Sequence, residues 1–214
     1  MSQMFTEIMM VGGVFWSTTY LLIIRRGFKE KTFGMPMAAL CANISWEAIF
    51  AFFTPHEPPQ LYVNYIWFSL DAIIVMQFLK YGNKEFPIIS RWQFFVMFAL
   101  GISLSIPMIL SVNYELHDDI GAYAAFGQNL MMSVLFVAWL INRDGIKGQS
   151  FYIGLFKMFG TGLSSLAFYM YKPLAQESIL LQVLFVAIFV FDLIYTIGIY
   201  KKYKKNNMNP LRKF

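Results

Sequence analysis

Seven long apolar segments constrain the fold of this chain more than any other feature. A helix needs roughly 20 apolar residues to cross a bilayer core of about 30 Å, and each segment approaches that length. With 58% hydrophobic and 14% charged residues, the chain has too few polar side chains to cover a soluble fold. We expect an all-α membrane protein whose seven transmembrane helices form one domain, residues 1–200. The predicted spans lie near residues 4–24, 35–53, 61–79, 92–112, 120–140, 150–171 and 178–199.

Lysine and arginine residues collect on one side of the predicted bundle. The opposite loops carry only Lys172, against five acidic residues. By the positive-inside rule, the first helix starts outside and residues 201–214 form a basic cytoplasmic tail. We therefore attribute the net charge of +5 to the basic residues that set the membrane topology, and no nucleic-acid partner is expected. The basic residues on the predicted cytoplasmic side are Arg25, Arg26, Lys29, Lys31, Lys80, Lys84, Arg91, Arg143, Lys147, Lys201, Lys202, Lys204, Lys205, Arg212 and Lys213.

Carboxylic side chains inside these apolar segments are the strongest signal of chemistry. Glu47, Asp71 and Asp192 each lie within a predicted span, where an ionisable group is costly. A carboxylic acid kept from water resists ionising, so it can hold a proton and deliver it to a weakly basic substrate. Asn43 and Tyr195 follow helical spacing from Glu47 and Asp192 and are predicted to hydrogen-bond to them. At 1.5 Å per residue, Glu47 and Asp192 differ in depth by roughly 10 Å, too far to share one proton.

Lys157 leaves two interpretations of Asp192 open, because both residues fall at about the same predicted depth. If they form an ion pair, Asp192 is a poor proton donor, and it would orient substrate or stabilise charge while Glu47 donates. Alternatively, the Lys157 side chain extends to the membrane interface, which its position two turns inside the span slightly favours.

The motifs resemble a known family. The chain contains Gly34-Met35-Pro36 before its second span, the sequence LCANISWE ending at Glu47, and Asp192 followed by Tyr195 in its last span. Over essentially its whole length it resembles the small membrane-integral terpene cyclases of the paxilline and pyripyropene pathway type. These enzymes act in fungal meroterpenoid and indole-diterpene pathways, and their bacterial relatives cyclise prenylated indoles. The resemblance implies that Glu47 and Asp192 are essential for cyclisation initiated by protonation.

The aromatic content suits that chemistry. A carbocation must be kept from water, and a desolvated aromatic face attracts a cation by about 2 kcal/mol or more. The chain has 23 Phe, 12 Tyr and 5 Trp, of which Trp46 and Trp67 lie within spans and either line a cavity or simply pack. The predicted substrate-binding residues are Asn43, Trp46, Trp67, Asp71 and Tyr195. We expect a lipophilic polyprenyl or prenylated aromatic substrate, reached through the lipid bilayer.

No metal or cofactor is predicted. The sequence has neither a DDxxD nor a DxDD motif, so the two standard soluble terpene-cyclase chemistries are not indicated. The outer-loop residues Glu115, His117, Asp118 and Asp119 are expected to be a solvated charge run rather than a metal site. A small seven-helix transporter that couples buried carboxylates to proton or substrate movement is the alternative function. The chain shows no repeated three-helix unit, which counts against it.

Overall fold

The computed structural model describes residues 3–212, which form helices and contain no β-strand. The prediction of an all-helical protein is confirmed. A π-helical turn follows α2 at Ile49–Phe53, and short 3₁₀ turns lie at Gly82–Glu85 and Pro210–Arg212. The α-helices are α1 Gln3–Glu30, α2 Met37–Ala48, α3 Gln60–Tyr81, α4 Arg91–Glu115, α5 Ala122–Asn142, α6 Phe151–Tyr171, α7 Pro173–Glu177 and α8 Ile179–Lys205.

Within residues 3–212, six helices are long and apolar enough to cross a membrane: α1, α3 with its 3₁₀ extension, α4, α5, α6 and α8. The second predicted span instead forms α2 and the π-helical turn, an apolar helix from Met37 to Phe53. Its 12 and 5 residues reach at most about 25 Å, less than a bilayer core of about 30 Å. A helix of that length crosses only where the bilayer thins or neighbouring helices surround it. The last helix, α8, continues into the predicted tail as far as Lys205.

The close packing of α1 on α6 depends on glycine. A Cβ atom at Gly12 would lie 3.1 Å from the carbonyl oxygen of Gly160. A Cβ atom at Gly160 would lie 2.7 Å from the indole of Trp16. Small residues at a membrane helix interface let the two backbones approach. Here they also seat Trp16 against α6, towards the interior of the bundle.

Ion pairs and hydrogen bonds tie together the end of the bundle where α1 ends and α6 begins. Arg26 pairs with Glu30 at 2.5 Å, and the other Glu30 oxygen accepts a bond of 2.7 Å from the backbone N–H of Gly148. Across the same end, Arg143 pairs with Glu85 at 2.8 Å. These contacts fix the loops at this end, which the sequence predicts to be cytoplasmic.

Candidate active site

A cavity of about 290 Å³ opens in the half of the bundle that holds the start of α1 and the end of α6. Its walls come from α1, α2, α3, α5, α6 and the loop before α3. Along α1 the lining runs from Phe5 to Tyr20, about 22 Å at the rise of an α-helix. The walls are mostly apolar, and their aromatic residues are Phe5, Trp16, Tyr20, Trp46, Trp67, Phe126 and Phe168.

Glu47 lines the deep end of this cavity and is 1% exposed. Its Oε1 accepts hydrogen bonds from the Tyr20 hydroxyl at 2.8 Å and from the Asn43 amide at 3.0 Å. The predicted Asn43 contact is therefore confirmed. Its other oxygen, Oε2, has no hydrogen-bond partner in the described part of the chain. A proton on Oε2 would have no acceptor among the described residues, which leaves it available to a guest molecule beside Glu47.

Asp71 lies directly behind this group. The same Asn43 Nδ2 that binds Glu47 donates to Asp71 Oδ2 at 2.8 Å, so Asn43 joins the carboxyl groups of α2 and α3. Asp71 is completely buried and is not among the residues that line the cavity. Its Oδ1 lacks a hydrogen-bond partner among residues 3–212. Asp71 was predicted to bind substrate, but in this arrangement it reaches the cavity through Asn43 and Glu47.

The π-helical turn immediately after Glu47 shapes the wall beside it. The N–H of Thr54 bonds the carbonyl of Ile49 at 2.8 Å, five residues back. This leaves the Phe50 carbonyl to accept a bond of 3.0 Å from Asn64 Nδ2. Single π-helical turns in α-helices are frequent at functional sites.

Trp46 is held in the cavity wall by one backbone bond. Its indole N–H donates to the carbonyl of Gly121 at 3.0 Å. Gly121 has φ +65°, and a Cβ there would lie 2.3 Å from the Phe50 ring, so the position requires glycine. The sequence left two roles open for Trp46, lining a cavity or simply packing, and in the structure it lines the cavity.

Trp67 lines the cavity as well. Its indole N–H donates to Ser17 Oγ at 3.1 Å. Its ring meets Tyr20 edge-on, with centroids 6.5 Å apart at 84°. The two predicted tryptophans thus line the cavity from two helices, Trp46 from α2 and Trp67 from α3.

Asp192 occupies a separate buried site. Lys157 Nζ lies 2.7 and 3.0 Å from its two carboxylate oxygens and donates to Ser133 Oγ at 2.6 Å. Lys157 and Asp192 are each 2% exposed, and neither lines the cavity. The favoured expectation that Lys157 extends to the interface is wrong. The ammonium group finds a counter-ion and a hydroxyl inside the bundle, so reaching water would gain it little.

Trp16 separates this ion pair from the cavity. Its ring lines the cavity, and Lys157 Nζ lies 5.6 Å from the ring centroid. The distance is within the range of a cation–π contact. The charged pair therefore lies behind the aromatic wall and touches it.

Tyr195 does not support Asp192 in the way that its spacing predicted. Its hydroxyl has no hydrogen-bond partner within the described range. The ring packs edge-on against Phe136, with centroids 5.2 Å apart. It also fills the space beside Gly154, where a Cβ would lie 2.8 Å from it. Tight packing against α5 and α6 turns the hydroxyl away from the carboxylate, so the predicted hydrogen bond is wrong.

His56 lies at the mouth of the cavity, in the loop before α3, and no motif in the sequence marks it as a site residue. Its Nε2–H donates to the Ile120 carbonyl at 3.1 Å, and its Nδ1 accepts from Asn64 Nδ2 at 2.9 Å. The ring stacks on Phe50 at 4.4 Å. Burial lowers the pKa of His56, and both bonds fit the neutral imidazole.

The acidic loop between α4 and α5, which was expected to be a solvated charge run, is partly buried. Asp118 is buried, and its two oxygens accept bonds from the backbone N–H groups of Ile120 at 3.2 Å and Tyr123 at 2.8 Å. The second of these bonds satisfies a backbone N–H in the first turn of α5. Within residues 3–212, no group of three or more His, Cys, Asp or Glu side chains is arranged to hold a metal ion.

A second hollow of about 420 Å³ lies between α2, α4 and α5. Small residues such as Ala38, Ala42, Gly101 and Gly127 line it. Gln128 borders both hollows, and its Nε2 lies 3.5 Å from Asn43 Oδ1. The Gln128 side chain therefore lies between the Glu47 cavity and a hollow on the α4 side of the bundle.

Comparison with known proteins relates the chain to terpene cyclases. The sequence model of the Pyr4-like transmembrane terpene cyclases matches residues 2–205. The Pyr4-family terpene cyclase mfmH of Annulohypoxylon moriforme is 29% identical over 161 residues, which cover 73% of this chain and 66% of the relative. The asnovolin H synthase nvfL of Aspergillus novofumigatus is 29% identical over 153 residues, covering 68% and 62%. The terpene cyclase pyr4 of Aspergillus fumigatus is 26% identical over 156 residues, covering 70% and 64%.

These matches span slightly less than two thirds of the length of each of these relatives. No solved structure matches the chain.

Proposed function

The chain belongs to the Pyr4-like transmembrane terpene cyclases, a family of multi-pass membrane proteins, and on that premise we propose that it cyclises a polyprenyl substrate within the membrane. The substrate class is a polyprenyl chain, free or linked to an aromatic group, with or without a terminal epoxide. Glu47 supplies the initiating proton. The observation that carries this proposal is the position of Glu47 on the wall of a mostly apolar cavity, with Oε2 unpartnered.

The reaction is an isomerisation started by one proton. The O–H bond of Glu47 breaks, and the π electrons of a terminal alkene form a new C–H bond, leaving a carbocation on the substrate and a carboxylate on Glu47. With an epoxide, the proton goes to the oxygen and the C–O bond breaks. Neighbouring double bonds then attack the cation in turn. The last cation loses a proton from an adjacent carbon to form C=C, and that proton restores Glu47.

The aromatic wall has two roles in this proposal. It excludes water, which would trap the cation, and its faces attract positive charge by about 2 kcal/mol or more when desolvated. Trp16, Tyr20, Trp46 and Trp67 come from three helices around Glu47. They are placed to fold the prenyl chain and to accompany the cation as it moves along it.

We assign Asp192 a positioning role rather than proton donation. Lys157 Nζ contacts both of its oxygens and Asp192 does not line the cavity, so it has no direct contact with a guest molecule there. Together they support Trp16 from behind, so Asp192 acts on the cavity through Lys157 and Trp16. Tyr195 and Asp71, which also lie outside the lining, act through neighbouring side chains.

The proposal includes the membrane topology. The apolar helix Met37–Phe53 crosses as the second of seven spans, which places α1's first residues outside and the end of α8 in the cytoplasm. The charge bias of the loops supports this orientation. The cavity mouth then faces the outer side, and the substrate enters from the lipid. The reaction needs no metal.

The proposal is tested with membranes that contain the protein and matched membranes that lack it. Both are incubated with farnesyl- and geranylgeranyl-linked aromatic acceptors, with and without a terminal epoxide, and products are identified by mass and chromatography. Cyclised isomers should form only with the protein and should be lost in Glu47→Gln. Labelled substrate crossing sealed vesicles without any cyclised product would instead support the transporter.

A further inference from the structure

Glu47 and Asp71 form a buried carboxyl pair with no positive partner. Both accept from the single amide nitrogen of Asn43, at 3.0 and 2.8 Å, so one donor bridges the two carboxyl groups. They are 1% and 0% exposed. In the described part of the chain, the ion pairs involve only Glu30, Glu85 and Asp192 as acids. The Glu47–Asp71 pair therefore differs from Asp192, which has Lys157 as its counter-ion.

Two unpaired carboxylates cannot persist together in an apolar interior. An isolated buried charge costs so much that the group takes up a proton instead, and two like charges side by side add to that cost. The pair is also remote from compensating charge, because Lys157 faces Trp16 and Asp192. From the packed helices, the other groups that face it are the Tyr20 hydroxyl of α1 and the uncharged Gln128 of α5.

The hydrogen bonds divide the four carboxyl oxygens into two kinds. Glu47 Oε1 and Asp71 Oδ2 accept bonds, whereas Glu47 Oε2 and Asp71 Oδ1 have no partner within the described structure. A neutral carboxylic acid has this division, since its carbonyl oxygen accepts and its hydroxyl oxygen carries the proton. Both residues thus fit the protonated form, and of the two only Glu47 borders the cavity.

We propose that Asp71 is a neutral acid that stabilises the Glu47 carboxylate left after proton transfer. This inference rests on the proposed role of Glu47 as proton donor. Asp71 does not touch the cavity, so it is a positioning residue. Asn43 sets the distance between the two carboxyl groups, and Tyr20 adds a third donor to Glu47.

The proton balance of the step is simple. Before the reaction both carboxyl groups are neutral. When the Glu47 O–H bond breaks, the proton joins the substrate and the electron pair stays on Glu47. Asp71 keeps its proton, and its unpartnered hydroxyl turns to donate a hydrogen bond to the new carboxylate, so the pair carries one negative charge opposite one substrate cation. Hydrogen bonds to an ionised acceptor are roughly twice as strong as neutral ones, so the bond strengthens as the charge develops.

The expected effects follow from the loss of a donor aimed at a developing anion, which lowers turnover by about 10²- to 10³-fold. Asp71→Leu removes the donor and should fall in that range. Asp71→Asn keeps an N–H in the same place and should lose about 10-fold, with the KM for substrate nearly unchanged. A larger loss of kcat in Asp71→Leu than in Asp71→Asn, with KM nearly unchanged, differs from what a purely structural role of Asp71 would give.

Infrared difference spectroscopy on the purified, substrate-free protein tests the pair without relying on activity. The carbonyl band of a protonated carboxyl group is separate from the carboxylate bands. At neutral pH, Glu47→Gln and Asp71→Asn should each remove one protonated-carboxyl band, whereas Asp192→Asn should remove none.

The outcomes separate this inference from the proposed function. Failure of either the Glu47 or the Asp71 band to appear in the protonated region overturns the inference, as does unchanged turnover in Asp71→Asn and Asp71→Leu. If both bands are present but no prenyl substrate is cyclised, the carboxyl pair stands and the proposed function fails. If Asp71→Leu does not fold, the isosteric Asp71→Asn still decides through its band and its kcat.

Discussion

Removing either partner of the Lys157–Asp192 ion pair should destabilise the protein strongly. The ammonium group lies 2.7 Å from the carboxylate, and both side chains are 2% exposed, so the remaining charge would have no water to solvate it. Breaking a buried ion pair by removing one partner costs about 3 to 5 kcal/mol. For a domain of this size each kcal/mol corresponds to about 2 to 4 °C in Tm, so Lys157→Met and Asp192→Asn should each lower Tm by about 6 to 20 °C.

The double variant distinguishes a charge effect from lost packing. Replacing both partners by uncharged side chains of similar volume is often nearly neutral, so Lys157→Met with Asp192→Asn should recover to within about 1 to 2 kcal/mol of the wild type. The coupling energy in the double-mutant cycle should then exceed about 3 kcal/mol. Ser133→Ala is a useful comparison, since it removes only one hydrogen bond to the ammonium group, worth about 1.5 to 3 kcal/mol.

Thermal denaturation in one detergent, followed by size-exclusion chromatography, measures these differences, and activity is assayed on the same samples. If Asp192 acts through Lys157 and Trp16, the folded double variant should retain measurable cyclisation. Single variants that cost less than about 1 kcal/mol, or a double variant as unstable as the sum of the singles, would refute the ion-pair reasoning. A folded double variant without any cyclisation would show that Asp192 takes part in the reaction itself.

Three further changes have defined outcomes. Gly121→Ala should lower the free energy of unfolding by about 2 to 4 kcal/mol, because it strains a positive φ and drives a Cβ into the Phe50 ring. A Tm equal to that of the wild type would contradict this. Burial lowers the native pKa of His56, so its contribution to stability is present above about pH 6.5 and is lost as pH falls through the lowered value. Tm should therefore decline on acidification more in the wild type than in His56→Gln, and parallel curves would contradict the assignment. Trp67→Leu should divert the cation to water-quenched or shorter products while Trp67→Phe largely preserves the product, so identical product mixtures from both variants would argue against a cation–π role.

Sequence spacing predicted what lies within one helix. It placed Asn43 one turn before Glu47, and the hydrogen bond between them follows from that spacing alone. It also located the long helices, because apolar length is a direct consequence of bilayer thickness.

Contacts between helices escaped the sequence because depth along a helix does not give its rotation. Tyr20 reaches Glu47 from 27 positions away, and Asn43 reaches Asp71 over 28. The depth of Lys157 in its span does not tell whether its side chain faces the bundle or the lipid. The sequence therefore favoured a side chain that extends to the membrane interface. The face it occupies meets Ser133 and Asp192.

The acid role of Glu47 is tested most directly by comparing two acids that line the same cavity. Glu47 is buried at the deep end, whereas Glu57 is exposed at the mouth. The measurement is the initial rate of cyclised product from membranes carrying equal amounts of folded Glu47→Gln or Glu57→Gln. Loss of a general acid lowers the rate by about 10²- to 10⁴-fold, so Glu47→Gln should fall at least 100-fold while Glu57→Gln stays near the wild type. Cyclisation by Glu47→Gln at the wild-type rate would contradict the mechanism.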